Sequence, residues 1–123
     1  MYDRALLLEL FLEIEEAIRR IERRFIGIHS PADFLKDDAG LDRLDAIAMM
    51  LIAIGENIQR INKRISPEFF ALHPQINWVG VMSIRNLLAH DYFNIDAEEV
   101  YGICDREIAP LKQAIQQIRN ALL

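Results

Sequence analysis

Leu44, Ile47, Leu51, Ile54, Ile58, Ile61 and Ile65 recur at alternating spacings of four and three residues without a slip. That period matches the turn of an α-helix and not the alternation of a strand, so the run predicts one long helix. Ala46, Met49, Met50, Ile52 and Ala53 widen the stripe until the first half is apolar on nearly every side. A helix of that kind has to be covered on nearly every side, which makes it the central member of a bundle. Gly55 lies inside it, at a cost of about 1 kcal/mol relative to Ala. Close approach of another helix or of a ligand would justify that glycine; a tolerated defect accounts for it equally well.

The flanking sequence supplies the neighbours. Leu7, Leu10, Phe11, Ile14, Ile18, Ile21 and Phe25 mark a helix from Arg4 to Phe25, ended by Gly27. Ser30-Pro31 reads as a cap followed by proline at the first helical position, opening a short helix that Lys36 to Gly40 breaks. Ser66-Pro67 repeats that start for one or two turns, closed by Pro74. Asn77 can cap a helix from Trp78 to about Tyr92. Asp96-Ala97-Glu98-Glu99 resembles a capping box for a last helix to the C-terminus, which Pro110 should kink. With no strand alternation, repeat or linker, residues 1–123 are expected to form a single all-α domain. The expected architecture is an antiparallel bundle of about four long helices joined by short ones.

Composition narrows the function. Apolar residues make up 52% of the chain, slightly above the usual ~45–50%, which hints that a second subunit covers part of the surface. No run reaches the roughly 18 apolar residues of a membrane span, and MYDRALLLELFLEIEE lacks the features of a signal peptide. The single Cys104 cannot form an internal disulfide, so a reducing cytoplasm is the simplest compartment. Net charge is −5, which argues against coating nucleic acid through bulk charge but leaves room for a small basic cleft. Arg19, Arg20, Arg23 and Arg24 form one basic knot; Arg60, Lys63 and Arg64 form another. For the first, helix salt bridging through Glu15–Arg19 and Glu16–Arg20 at i,i+4 is favoured over a nucleic-acid patch.

The densest chemistry lies in RNLLAHDYF, Arg85 to Phe93. On a regular helix Ser83, Asn86 and His90 share one line, whereas Arg85 stands about 140° from His90. Three arrangements could still join Arg85 to His90: the long arginine reaching round, the helix unwinding near Asp91, or a second copy of the chain. As chemistry, the set suits phosphodiester cleavage without a metal. A neutral imidazole with a reference pKa of ~6.5 can take the proton of a ribose 2′-hydroxyl. A guanidinium can fork onto phosphate oxygens and stabilise the extra charge of the transition state. Asn86 can hold a phosphate or fix the imidazole. No HExxH, spaced Cys/His pattern or GxSxG turn is present, so no metal ligand set or cofactor is expected.

IGENIQR (Ile54 to Arg60), Asn77-Trp78 and RNLLAHDYFNID (Arg85 to Asp96) together resemble the HepT-like toxins of the HEPN superfamily, small all-α proteins marked by R-x4-6-H-x-Y. The resemblance covers essentially the whole chain and is most specific in RNLLAHDYF. It implies an endoribonuclease toxin in which Arg85 and His90 are the catalytic pair and Asn86 supports them. It further implies a homodimer whose two motifs line one cleft. A minimal nucleotidyltransferase antitoxin would be the partner, silencing the toxin by adding AMP to Tyr92; bulky anionic phosphate beside the cleft would repel RNA. Gly55 and Glu56 match the family's GE pair, for which only a structural role can be assigned, Glu56 facing an arginine. The competing expectation is a non-catalytic helical module that binds a nucleotide or scaffolds a nucleotidyltransferase.

Overall fold

The computed structural model describes residues 3–88 and 93–123. Every regular element among them is helical, and no β-strand occurs among the described residues. Helix α1 spans Arg4–Phe25, starting where the Asp3 carboxylate accepts from the Leu6 N–H at 3.1 Å. Its buried face is Leu7, Leu10, Phe11, Ile14, Ala17, Ile18 and Ile21, as the periodicity predicts. Gly27 turns the chain away with φ of +86°, a left-handed value that suits glycine. Helix α2, Pro31–Leu35, seats Phe34 in the core. Ser30 makes no side-chain cap there; Asp33 instead accepts from the His29 N–H at 2.8 Å, which holds its carboxyl below the usual range.

Helix α3 runs from Asp38 to Asn62, capped by Asp37, whose carboxylate accepts from the Gly40 N–H at 2.8 Å. Asp38 to Gly40 therefore begin α3, where the sequence suggested a break. Helices α1 and α3 are antiparallel: Asn57, late in α3, donates to the Leu10 carbonyl in the first half of α1. The all-round covering expected for α3 is incomplete. Leu44, Ile47, Leu51, Ile54, Ile58 and Ile61 are buried, but Met49 is 66% exposed and Met50, Ile52 and Ala53 are half-buried. Met50 and Ala53 line an open groove of about 760 Å³ between α1 and α3, with Leu8 and Leu12 on its far wall.

A short helix α4, Glu68–Ala71, places Phe70 against Trp78, ring centroids 4.8 Å apart and edge-on. The Trp78 indole N–H donates to the carbonyls of Phe70 and His73 at 3.0 and 3.1 Å, locking the α4 segment to the next helix. The expected Trp78–Tyr92 helix is not continuous. It is present as α5, Trp78–Met82, and α6, Ile84–Leu88, with residues 89–92 outside the described set. Three long helical stretches therefore stand where four were expected, the fourth being in pieces.

The C-terminal stretch starts with α7, Ala97–Gly102, capped as predicted: Asp96 accepts from the N–H groups of Glu98 and Glu99, both at 3.1 Å. It widens into a π turn over Ile103–Glu107 and continues as α8, Ile108–Leu122. Pro110 explains the widening. It cannot donate to the Arg106 carbonyl, and its ring would clash with that oxygen in an α-helix. The chain accommodates this by a π bond from the Ile108 N–H to the Ile103 carbonyl. Helix α8 packs antiparallel on α1 through Lys112–Glu22 at 3.2 Å and Arg119–Glu15 at 3.1 Å, the latter an ion pair without directed hydrogen-bond geometry. Glu15 therefore does not pair with Arg19 as the i,i+4 spacing suggested. Arg19 and Arg20 both bind Glu16 at 2.8 Å, holding its carboxyl down to about 2.

Candidate nuclease site

The motif segment is held by α3. A Cβ on Gly55 would stand 2.5 Å from the Val81 carbonyl oxygen and 3.2 Å from Ile84 Cγ2. The glycine thus exists for close approach of the helix pair α5–α6. Of the two readings the sequence left open, packing accounts for it.

Asn77 caps α5 as expected, accepting from the Gly80 N–H at 3.0 Å. The helix then breaks at Ser83, with φ −110° and ψ 21°. The Ser83 hydroxyl donates back to the Val79 carbonyl at 2.7 Å, the local bond by which serine bends helices. Asn86, whose N–H would reach the Met82 carbonyl in a continuous α-helix, bonds to the Ser83 carbonyl at 3.0 Å instead. That leaves the Met82 carbonyl in need of a donor, and the Gln59 amide of α3 supplies it. Gly55 and Gln59 lie one turn apart on the same α3 face, so one admits the broken helix and the other satisfies its break.

Beyond the break, α6 buries Ile84 and Leu88 and exposes Arg85, Asn86 and Leu87. Arg85 and Asn86 are thus presented to solvent by a helix anchored on both neighbouring turns. The Leu88 carbonyl also accepts from the Asp96 N–H at 2.9 Å, which ties the cap of α7 to the end of α6. His90 and Tyr92, the expected base and modification site, lie outside the described residues. The break removes Ser83 from the helical line drawn through Asn86. Beneath α6 a cavity of about 180 Å³ separates it from the π turn, lined by Leu51, Ile54, Val81, Ile84, Leu87 and Ile103 among others.

Glu56 is exposed on α3, one residue from the buried Asn57. Asn57 is the polar residue that the sequence did not single out. Its amide donates to the Leu10 carbonyl at 3.3 Å and to Glu13 at 3.2 Å, and its oxygen accepts from Arg60 at 3.0 Å. Its position on the α1-facing side of the wheel, amid isoleucines, was the available signal. Among the described residues no three His, Cys, Asp or Glu side chains cluster so as to hold a metal ion.

A family model described as "Ribonuclease HepT-like" matches residues 14–118, from mid-α1 to the last turns of α8. The chain belongs to the HepT-like ribonuclease family. The match contains α3, α5 and α6 entire, including Gly55, Gln59 and Arg85. Among its relatives, a Thermococcus cleftensis protein named "Probable ribonuclease HepT" is 32% identical over 108 residues, covering 88% of this chain and 91% of that protein. A Caldanaerobacter subterraneus protein named as a candidate RNase is 30% identical over 106 residues, covering 86% of this chain and 84% of its own length. A Methanocaldococcus jannaschii protein, likewise named as a candidate RNase, is 29% identical over 86 residues, or 70% of this chain and 65% of that one. No solved structure matches the chain. No helix among the described residues is long and apolar enough to cross a membrane.

Proposed function

We propose that this protein is a metal-independent endoribonuclease toxin, a single helical domain in which His90 takes the 2′-hydroxyl proton and Arg85 binds the scissile phosphate. The observation that carries this reading is the exposure of Arg85 and Asn86 on a short helix anchored to α3, within a segment matched by a ribonuclease family. A guanidinium presented to solvent from a helix packed on α3 suits phosphate binding, since the backbone that carries it need not be ordered on contact. Asn86, one residue on, supplies an amide to the same phosphate or to the imidazole. In this reading the working form is a homodimer with two motifs facing one cleft. The α1–α3 groove supports it: Leu8 and Leu12 are 40% and 49% exposed on one wall and half-buried Met50 lies on the other, the kind of surface a second copy covers. Tyr92 is the residue a minimal nucleotidyltransferase antitoxin would silence with AMP, placing phosphate where RNA must bind.

The test is RNA cleavage by purified protein in excess chelator, in the cytoplasmic pH range. Arg85→Ala and His90→Ala, each folded by circular dichroism, should lose at least about a hundredfold in rate. Absence of cleavage by the wild type under all conditions would favour the other reading, a non-catalytic partner of a nucleotidyltransferase, which the net charge of −5 accommodates more easily. With the partner and ATP, intact-mass spectrometry should find AMP on the wild type and none on Tyr92→Phe. A monomer by light scattering at micromolar concentration would remove the shared cleft.

A further inference from the structure

The second basic knot has no role in the site around Arg85, and its surroundings differ from those of the first. Arg19 and Arg20 share one acid, pairing with Glu16 at 2.8 Å. From Asn57 to His90, by contrast, the chain carries four cations (Arg60, Lys63, Arg64 and Arg85) and one acid, Glu68, for a net +3. The whole chain is −5, so the remaining residues carry −8. The end of α3 and the helices that follow it thus form a net-positive stretch on a net-acidic chain, although ten of its 14 lysines and arginines lie elsewhere. Arg60 and Arg64 hydrogen-bond to neutral oxygens, the Asn57 amide at 3.0 Å and the Arg60 carbonyl at 2.7 Å, which orients them without cancelling their charge.

Between the last turns of α3 and α5 lies a groove of about 330 Å³, lined by Gln59, Asn62, Lys63, Val79, Met82 and Ser83. Its two walls are joined by the Gln59–Met82 bond and the Gly55 contact, so its shape is fixed by the same features that hold α6. Ser83 belongs to this groove and stands two residues before Arg85. Asn62 and Lys63 are exposed, and Val79 is 75% exposed. An ammonium, an amide and an apolar surface in one groove are the three contacts a single-stranded nucleotide uses: phosphate, base edge and base face.

We propose that this groove is a binding track for single-stranded RNA that leads the strand to Arg85, with Lys63 on a phosphate, Asn62 on a base edge and Val79 under a base. The proposal rests on the ribonuclease reading and extends it to a second contact region. A paired base hides its Watson–Crick edge in the duplex, so the track selects unpaired RNA.

The experiment measures binding of a fluorescein-labelled, mixed-sequence single-stranded RNA to the full chain carrying His90→Ala, so that the probe stays intact. Adding Lys63→Ala should weaken binding about five- to tenfold at low salt and reduce the salt slope by about 0.7, the value for one phosphate contact on a single strand. Adding Asn62→Ala should weaken binding without changing that slope. Adding Arg19→Ala and Arg20→Ala together should leave binding within twofold, because those arginines pair with Glu16 on α1 and do not line the groove. Unchanged affinity and slope in Lys63→Ala would overturn the track, as would an equal loss from the Arg19 and Arg20 pair or equal competition by duplex RNA. Wild-type cleavage is read separately. If RNA is cut and Lys63→Ala has no effect, only the track falls; if the parent neither cuts nor binds RNA, the ribonuclease reading falls and the track with it.

Discussion

Gly55→Ala isolates the contact on which the candidate site depends. In an unpacked helix this substitution should stabilise, because alanine exceeds glycine in helix propensity by about 1 kcal/mol. Here the new Cβ would meet the Val81 carbonyl oxygen at 2.5 Å and Ile84 Cγ2 at 3.2 Å. Ordinary carbon–oxygen contacts lie near 3.3 Å or beyond, so the carbonyl must retreat by roughly 0.8 Å. Being backbone, it cannot retreat alone; α5 and α6 must move off α3 and stretch the Gln59–Met82 bond. Overpacking of this kind costs about 1–3 kcal/mol and a weakened hydrogen bond about 1 more. Against the propensity gain the net loss is about 1–3 kcal/mol, a fall in Tm of roughly 4–12 °C for a domain of this size.

Gly102→Ala is the matched control. Its Cβ would approach the Arg106 guanidinium at 2.6 Å, but that is the tip of an exposed side chain, which can swing aside. Thermal unfolding followed by circular dichroism should show Gly102→Ala unchanged or higher in Tm and Gly55→Ala lower. At a temperature where both remain folded, RNA cleavage by Gly55→Ala should also fall, since α6 carries Arg85. A rise in Tm for Gly55→Ala comparable to its control would refute the close-approach argument.

The other expectations concern single groups. Asn57→Ala leaves the Glu13 and Arg60 contacts without their buried partner, so urea denaturation should show a loss of about 1–3 kcal/mol at unchanged m; an unchanged midpoint would show the network to be idle. Glu16 is held down to about 2 by the hydrogen bonds from Arg19 and Arg20, against 4.5 for a free side chain. A depressed carboxyl contributes stability that is complete above pH 4.5 and is lost as pH falls toward about 2, so Glu16→Gln should flatten the acid limb in that window. A Glu16 carboxyl titrating by NMR near its ordinary value would contradict the pairing. Cys104 is half-buried, and burial pushes its thiol up to about 12, so iodoacetamide should label it slowly in the native protein and rapidly in concentrated urea. Equal rates would mean the thiol is open to solvent.

What could be read in advance was what local rules decide. The Leu44–Ile65 stripe, the Arg4–Phe25 helix and the caps at Asn77 and Asp96 depend on residues within one or two turns, and the structure has them. The misses involve partners distant in sequence. Val81, Met82, Ile84, Leu87 and Leu88 keep a helical period straight through Ser83, so nothing local announces the break. It is stabilised by Gln59, 23 residues before Met82. Glu15 had a good i,i+4 partner in Arg19 and took Arg119 from α8 instead. Pro110 did signal a distortion, but the chain absorbed it at the preceding turn, where the carbonyl facing the ring lies. Of the candidate site, Arg85 and Asn86 are exposed, which nothing in the sequence indicated, while His90 and Tyr92 lie outside the described residues.

The break at Ser83 and the glycine at Gly55 belong to one device. A continuous helix from Trp78 would satisfy its own carbonyls and could slide or rotate against α3 with little penalty. Breaking it exposes the Met82 carbonyl, which one particular residue of α3 must then satisfy, and so sets both register and rotation of α6. Gly55 brings the backbone near enough for that bond to form. The same α3 segment carries Lys63 one turn after Gln59, so the proposed strand-binding groove and the Arg85 helix share one rigid support. A net +3 stretch on a chain of net −5 favours a polyanion at that support over the acidic remainder of the chain. Net acidity, which at first argues against an RNA-handling protein, then serves to orient the strand.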